Sequence, residues 1–278
     1  MPDDFNQQII DEFRTNDGRV GEPFEGARLI LLTTTGARSG APHTTPVGYL
    51  PDGGERILVI ASAGGADRHP DWFHNLVADP AVTVEDGVFT YPARAEVLTG
   101  AERDAVFARA VEADPGWADY QAKTDRLIPV VALYAQHAGP PHGVSFGEAL
   151  RRIHDAFRRE LALIRDEVNR SGPTLGAQLR VNCLTVCGGL HAHHTREDAG
   201  MFAGLAAQRP DLADVLDRLR AEHRRVAELV DEIQQAVTAA DADRDEVREH
   251  VARLVADLEA HLAYEEEQLI PVLDAPAG

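Results

Sequence analysis

The spacing of hydrophobic positions changes character near residue 140. From Arg28 to Tyr134, short apolar and β-branched runs alternate with turn signals. "RLILLTTT" is followed by the turn "GARSG", "HTTPVGYL" by "PDGG", and "ERILVIAS" by "AGGADRHP". Such runs bounded by Gly, Pro and Asp predict strands. "DWFHNLVAD" predicts a short helix that stops before Pro80. "AVTVE", Asp-Gly and "VFTYPARAEVL" predict a hairpin, because Asp-Gly between alternating runs is a strong turn signal. "GAERDAVFARAVEAD" predicts a second helix and "LIPVVALY" a last strand. About six strands with two helices imply a mostly antiparallel, barrel-like α+β domain.

After the Pro/Gly-rich "AQHAGPPHG", the period becomes helical, with segments near 144–170, 174–206, 210–238 and 242–270. In the first, Leu150, His154, Phe157, Leu161, Ile164 and Val168 share one stripe. In the third, Leu212, Leu219, His223, Val226, Val230 and Ile233 do so. Leu179, Val186, Leu190, His193, Glu197 and Met201 form the stripe of the second segment, and Leu254, Leu258, His261 and Glu265 that of the fourth. Stripes at this spacing are the inward faces of an antiparallel bundle. The expected organisation is a barrel domain over 1–138, a linker over 139–143 and an all-α four-helix bundle over 144–278.

Composition narrows the function classes. A net charge of −19, with neither half basic, argues against nucleic acid. No run of apolar residues approaches a membrane span, and the first residues, "MPDDFNQQIIDEF", lack a basic n-region. The expected location is therefore cytoplasmic. Cys183 and Cys187 lie four apart, where a helix puts them on one face. That spacing is neither a redox CxxC nor half of a zinc site, so packing is the expected role.

The histidines stand where large apolar residues belong. Each helix carries one on its stripe, and two helices add a glutamate one turn on, as His193-x-x-x-Glu197 and His261-x-x-x-Glu265. Residues i and i+4 are neighbours on a helix, so both can reach one centre. His154 to His193 is 39 residues and His223 to His261 is 38, which makes the half a two-fold pseudo-repeat. A lone histidine on an apolar face is usually a satisfied core residue. Two buried carboxylates without partners would cost several kcal/mol each, so a metal site is expected. Six mixed nitrogen and oxygen ligands suit two iron ions, with dimanganese or a single iron as alternatives. His191 points away from His193. His250 lies eleven residues from His261, about 16 Å along a helix, too far to share the centre. His194 with Asp198 faces off the stripe and is expected, like Glu266, behind the ligands or on the surface.

With these residues, 144–274 resembles the hemerythrin-like (HHE cation-binding) domains, whose pattern is H…HxxxE…H…HxxxE. The resemblance implies a non-haem di-iron centre that meets O2, NO or peroxide. Oxygen-carrying hemerythrins have a third histidine on one iron. The glutamate-rich set here resembles the bacterial HHE proteins instead.

The first half offers no catalytic triad and no nucleotide-binding signature. Its loops "TTTGARSG" and "ASAGGADRHPDW" are rich in glycine and hydroxyls, which can present N–H groups to phosphate. Together with "FNQQIIDEFRTNDGRVGEPFEG", "HTTPVGY" and "ADYQAKTDRLIPVV", they resemble the deazaflavin-dependent nitroreductase family over most of residues 5–134. That family consists of split β-barrel (FMN-binding-like) proteins that use coenzyme F-420. The resemblance implies that Thr35, Gly36, Arg38 and Ser39 hold the cofactor's phosphate and acidic tail. By the same resemblance, Pro46, Val47 and Tyr49 line the cleft. Ser62, Ala63, Gly64 and Gly65 contact the ring and phosphate, Trp72 and Asn75 position that loop, and Tyr120 stands over the substrate as candidate proton donor. Ala37, Ala41 and His43 occupy places where the family's first loop carries cations, which makes FMN the alternative cofactor; Arg68 is the candidate replacement cation.

The combined expectation is a two-domain redox protein that acts on a small molecule (O2, NO, peroxide, a quinone or a nitro compound). The barrel would supply electrons to the metal. The alternative is a metal-based sensor that regulates an independent reductase. Split barrels often dimerise, so a homodimer through the barrel is expected.

Overall fold

A computed structural model describes residues 2–54, 56–136 and 144–275, with the side chains of residues 2–4 excluded. The chain forms two compact units, Met1–His142 and Gly143–Gly278. The expected linker at 139–143 lies outside the described residues.

In the first unit, six antiparallel strands close a barrel in the order β1-β2-β3-β6-β5-β4. They are β1 (Leu29–Thr35), β2 (Pro42–Pro51), β3 (Arg56–Ile60), β4 (Ala81–Glu85), β5 (Thr90–Val97) and β6 (Val130–Ala135). The helices are α1 (Pro2–Thr15), α2 (Asp71–Ala78), α3 (Gly100–Ala113) and α4 (Gly116–Ala122). The runs are nearly continuous in apolar residues because three strands are covered on both faces, while side chains alternate with period two. Ile30 and Leu32 of β1 face the barrel interior with Val59, Val131 and Leu133. Leu29 and Leu31, between them, pack on Ile9, Ile10 and Phe13 of α1. In the same way Val130 and Ala132 of β6 and Leu58 and Ile60 of β3 pack on Val106, Phe107 and Ala110 of α3. Trp72, Phe73 and Leu76 of α2 join the interior cluster. Sequence periodicity placed α2 and α3 but assigned no helix at α1 or α4.

The second unit is a ring of helices: α5 (Phe146–Arg170), α6 (Ala177–Arg196) with its continuation α7 (Phe202–Gln208), α8 (Ala213–Thr238) and α9 (Arg244–Leu273). α5 packs on α6 and α9, and α8 packs on α6 and α9. Caps set the helix starts. Ser145 accepts from the Glu148 N–H, and Asp243 accepts from the N–H groups of Asp245 and Glu246, contributing about 1 kcal/mol each. One apolar cluster (Leu161, Ile164, Leu190, Val226, Leu258 among others) and a second (Phe202, Leu216, Leu219, Leu269) occupy successive levels of the bundle. Along α8, Leu216 and Leu219 belong to one and Val226 and Val230 to the other, with His223 between. His261 and Glu265 interrupt α9 likewise, between Leu258 and Leu269. The polar centre is a layer between two dry ones.

The second helix departs from expectation. It does not run unbroken from 174 to 206, because Glu197–Met201 form one turn of π-helix between α6 and α7. This extra residue advances the register. Met201, expected on the stripe, is therefore only partly buried, and Phe202 is the fully buried residue.

Candidate metal centre and cofactor loops

The structure brings His154, His193, Glu197, His223, His261 and Glu265 together inside the bundle. His154 Nε2 and His261 Nε2 lie 3.5 and 3.6 Å from Glu265 Oε2. His193 Nε2 and His223 Nε2 lie 3.1 and 3.6 Å from Glu197 Oε1 and Oε2. Each carboxylate thus sits between histidines of two helices.

His194 belongs to the same centre, against the expectation that it stays behind the ligands or on the surface. It is 5% exposed, its ring stacks on His223 at 4.2 Å, and the donor atoms of His194, His223 and His261 lie within 4.8 Å of one another. The reason is the helix phase. The buried line of α6 runs Cys183, Cys187, Leu190, His194, Glu197, in steps of four and three, with His193 on its flank. Two consecutive histidines therefore reach the interior from either side of that line. The steps 190-194-197 were the sequence signal that would have found it. One side of the centre thus has three imidazoles, against the expected two.

Nine donor atoms at this level are buried and without hydrogen-bond partners: Nε2 of His154, His193, His194, His223 and His261, and both oxygens of Glu197 and Glu265. Any one such orphan costs about 1–3 kcal/mol. Nine aimed at one volume form a ligand set of borderline nitrogen and hard oxygen, which fits divalent iron or manganese. Three histidines donate their other nitrogen to a carboxylate. These pairs are His154 Nδ1 with Glu266 at 2.9 Å, His223 Nδ1 with Asp198 at 3.0 Å and His261 Nδ1 with Glu222 at 3.1 Å. That assignment of donors follows from the carboxylate being the acceptor, and it leaves each Nε2 lone pair facing inward. Of the two placements expected for Glu266 and Asp198, behind the inward-facing side chains or on the surface, they take the first, behind His154 and His223.

Without a metal, burial dominates the titration of these groups. It lowers all five histidines, His261 to about 4 and His193 to about 2, with neighbouring imidazoles adding to the effect. It raises Glu265 to about 8 and Glu197 well above the usual carboxylate range. Neutral imidazoles are the form that binds metal. His191 is exposed. His250 pairs with Glu232 at 3.1 Å and Arg253, away from the centre. Cys183 and Cys187 are buried thiols in the apolar cluster and form no disulfide, and burial pushes the Cys187 thiol up to about 12; both pack.

In the barrel, the two glycine loops follow β1 and β3. β2 pairs with β1 over its first seven residues and with β3 only from Tyr49 to Pro51. Pro46 and Val47 therefore lie on a stretch of β2 bonded to β1 alone. The first loop is tight: Gly36 N–H donates to the Ala41 carbonyl, and Ser39 Oγ lies 3.1 Å from His43 Nε2. A Cβ at Gly36 would stand 2.3 Å from Ser39 Oγ and 2.7 Å from His43 Nε2, so any larger residue there would displace both side chains. Asn75 spans this loop and the strand. Its amide donates to Thr34 Oγ1 (3.1 Å) and its oxygen accepts the Ala37 N–H (3.0 Å). Thr35, Arg38 and Ser39 are exposed, Trp72 is buried in the barrel core, and Val47 and Tyr49 pack partly against that core.

In the second loop, Ala63, Gly64 and Gly65 have φ of 48°, 65° and 84°, a left-handed run suited to glycine, in which the Gly65 and Ala66 N–H groups donate to the Ser62 and Ala63 carbonyls. Arg126, which the sequence reading did not single out, clamps this loop. It donates to the carbonyls of Ala61, Ser62 and Ala66 and meets His69 Nδ1 at 3.0 Å. The signal was present in "TDRLIPVV", a lone cation beside an apolar strand. Tyr120 lies against this loop, because a Cβ at Gly65 would be 2.7 Å from the Tyr120 carbonyl. Its ring meets Trp117 edge-on at 5.9 Å and lies 5.1 Å from the Lys123 ammonium.

Comparison with known proteins agrees with both halves. Residues 7–135 match the family model described as F420H(2)-dependent quinone reductase, and residues 146–273 match that described as hemerythrin HHE cation binding domain. An F420H(2)-dependent quinone reductase of Mycobacterium tuberculosis is 36% identical over 138 residues, covering 44% of this chain and 83% of that protein. A solved F420-H2 dependent reductase is 43% identical, with a TM-score of 0.35 over 38% of this chain and 93% of its own. A second solved structure, described only as a domain-swapped dimer, is 39% identical, with a TM-score of 0.37 over 48% of this chain and 99% of its own. The chain belongs to the F420H(2)-dependent quinone reductase family and carries a hemerythrin HHE domain after the barrel. Among the described residues, no helix is long and apolar enough to cross a membrane.

Proposed function

We propose that the barrel binds reduced coenzyme F-420 and passes a hydride to a small quinone-like acceptor, while the bundle holds two iron ions that meet O2, NO or peroxide. The observation that carries the metal half is the set of nine orphaned donor atoms at one level of the bundle. Family membership and the two glycine loops support the barrel half. Bound F-420 supplies two electrons as hydride, and bound iron supplies an open position for a diatomic or peroxide ligand. The protein's share is orientation. Gly36, Ser39 and Thr35 would hold the phosphate, with Arg38 over the acidic tail. The loop Ser62 to Gly65, braced by Arg126, would contact the ring, and Tyr120 would give the proton that completes a hydroquinone. Asp198, Glu222 and Glu266 fix the histidine tautomers. In the fullest form of this reading, the cofactor held by the barrel would supply the electrons used at the metal held by the bundle. The test is oxidation of reduced F-420, first without oxygen by a water-soluble quinone and then by O2, with metal-loaded protein and with a His154→Ala, His261→Ala variant. Quinone turnover in both and O2 turnover only in the loaded protein is expected; equal O2 rates would remove the coupling.

A second reading, reversible O2 or NO binding by a sensor, draws on His194. With three imidazoles on one side and two on the other, the two-histidine side has fewer protein donors and would be the one to take an external ligand. Steady consumption of O2 at the loaded bundle would exclude it.

A further inference from the structure

The pseudo-repeat of the bundle relates His154 to His223, His193 to His261, Glu197 to Glu265 and Asp198 to Glu266. Its supporting hydrogen bonds obey that relation in part. Asp198 holds His223, and Glu266 holds His154. The repeat is broken at three places, and all three favour the same side. His194 adds an imidazole beside His223 and His261, where the equivalent position after His261 is the buried apolar Leu262. Glu222 adds a carboxylate that holds His261, whereas its equivalent, Ile153 before His154, has none to offer His193. The arginines differ as well. Arg158 donates to Oε1 of Glu266, the same oxygen that accepts from His154, so one oxygen is shared between two donors. Arg218 takes Oε1 of Glu222 and leaves Oε2 to His261 alone. An undivided carboxylate makes its histidine the more basic ligand.

From these three differences we infer that the two metal positions are unequal by construction. The His194/His223/His261 side fills first and holds its ion more tightly, with Glu222 as the positioning residue that sets the difference. The His154/His193 side fills second and exchanges more readily. This rests on the reading of the bundle as a two-metal centre.

The test is titration of the metal-free full chain with cobalt(II), followed by visible absorption, which reports coordination directly. The wild type takes up two equivalents in two steps that differ at least tenfold in affinity. Glu222→Gln keeps the side-chain shape and weakens the first step by 10- to 100-fold, the usual effect of removing a ligand's hydrogen-bond partner; it leaves the second step in place. Glu222→Asp restores part of the loss. His193→Ala removes the second step and spares the first. Helical circular dichroism checks that each variant folds. Two steps of equal affinity, a Glu222→Gln loss shared by both, or a His193→Ala loss confined to the first would overturn the inference. A folded wild type that takes up no cobalt would overturn the two-metal reading itself, a result distinct from the others.

Discussion

A metal-free centre should be a stability liability, and Glu265→Leu measures how large. Glu265 is fully buried, neither oxygen has a hydrogen-bond partner, and burial with nearby carboxylates moves its carboxyl from the ordinary 4.5 to about 8. The sign is set by linkage: the unfolded chain ionises first, so folding at neutral pH must take up a proton. The penalty is absent below about pH 4.5, grows as pH rises and is complete above about 8. At pH 7 it amounts to about 3 kcal/mol. Leucine fills a similar volume between Leu258 and Leu269 without that penalty, and such replacements of buried charge are often stabilising. In chelator at pH 7, Glu265→Leu should therefore raise the bundle's melting temperature by on the order of 10 °C, read by calorimetry and circular dichroism at 222 nm. The gain should shrink towards zero near pH 4. With metal present the order reverses, because the wild type gains binding energy that the variant cannot. A metal-free variant that is no more stable than wild type at pH 7, or a gain unaffected by pH, would refute the reasoning.

The remaining predictions concern other residues. His194→Ala should lose at least tenfold in metal affinity by equilibrium dialysis, while His191→Ala should match wild type; equal behaviour would return His194 to the periphery. Gly36→Ala drives a Cβ to 2.3 Å from Ser39 Oγ and should weaken F-420 binding tenfold or more by fluorescence titration. Gly48→Ala, where the nearest atom is 3.8 Å away, should bind as wild type does. Asn75→Ala strands Thr34 and the Ala37 N–H and should cost about 1–3 kcal/mol in barrel stability by denaturant titration, with a weaker hold on F-420.

Much of this was legible in the sequence, for reasons that also explain the gaps. The strand runs were visible because β1, β3 and β6 are buried on both faces. The six candidate ligand residues were visible because histidine and glutamate replace leucine on otherwise regular stripes. His194 escaped because a single stripe was drawn through His193, whereas the buried line passes through His194 and the π-turn then shifts Phe202 inward in place of Met201. α1 went unassigned although Ile9, Ile10 and Phe13 lie on one face, since the surrounding residues are mostly polar. α4 is too short for a period to register. The carboxylates behind the histidines are tertiary pairings, between residues 25 to 112 positions apart, and no local pattern encodes them.

Metal content per chain tests the central claim most directly. Protein reconstituted with ferrous iron without oxygen, desalted and measured by elemental analysis should carry two iron ions per chain, and the His154→Ala, His261→Ala variant should carry fewer than one. A folded wild type without bound metal, or a variant that keeps two ions, would contradict it.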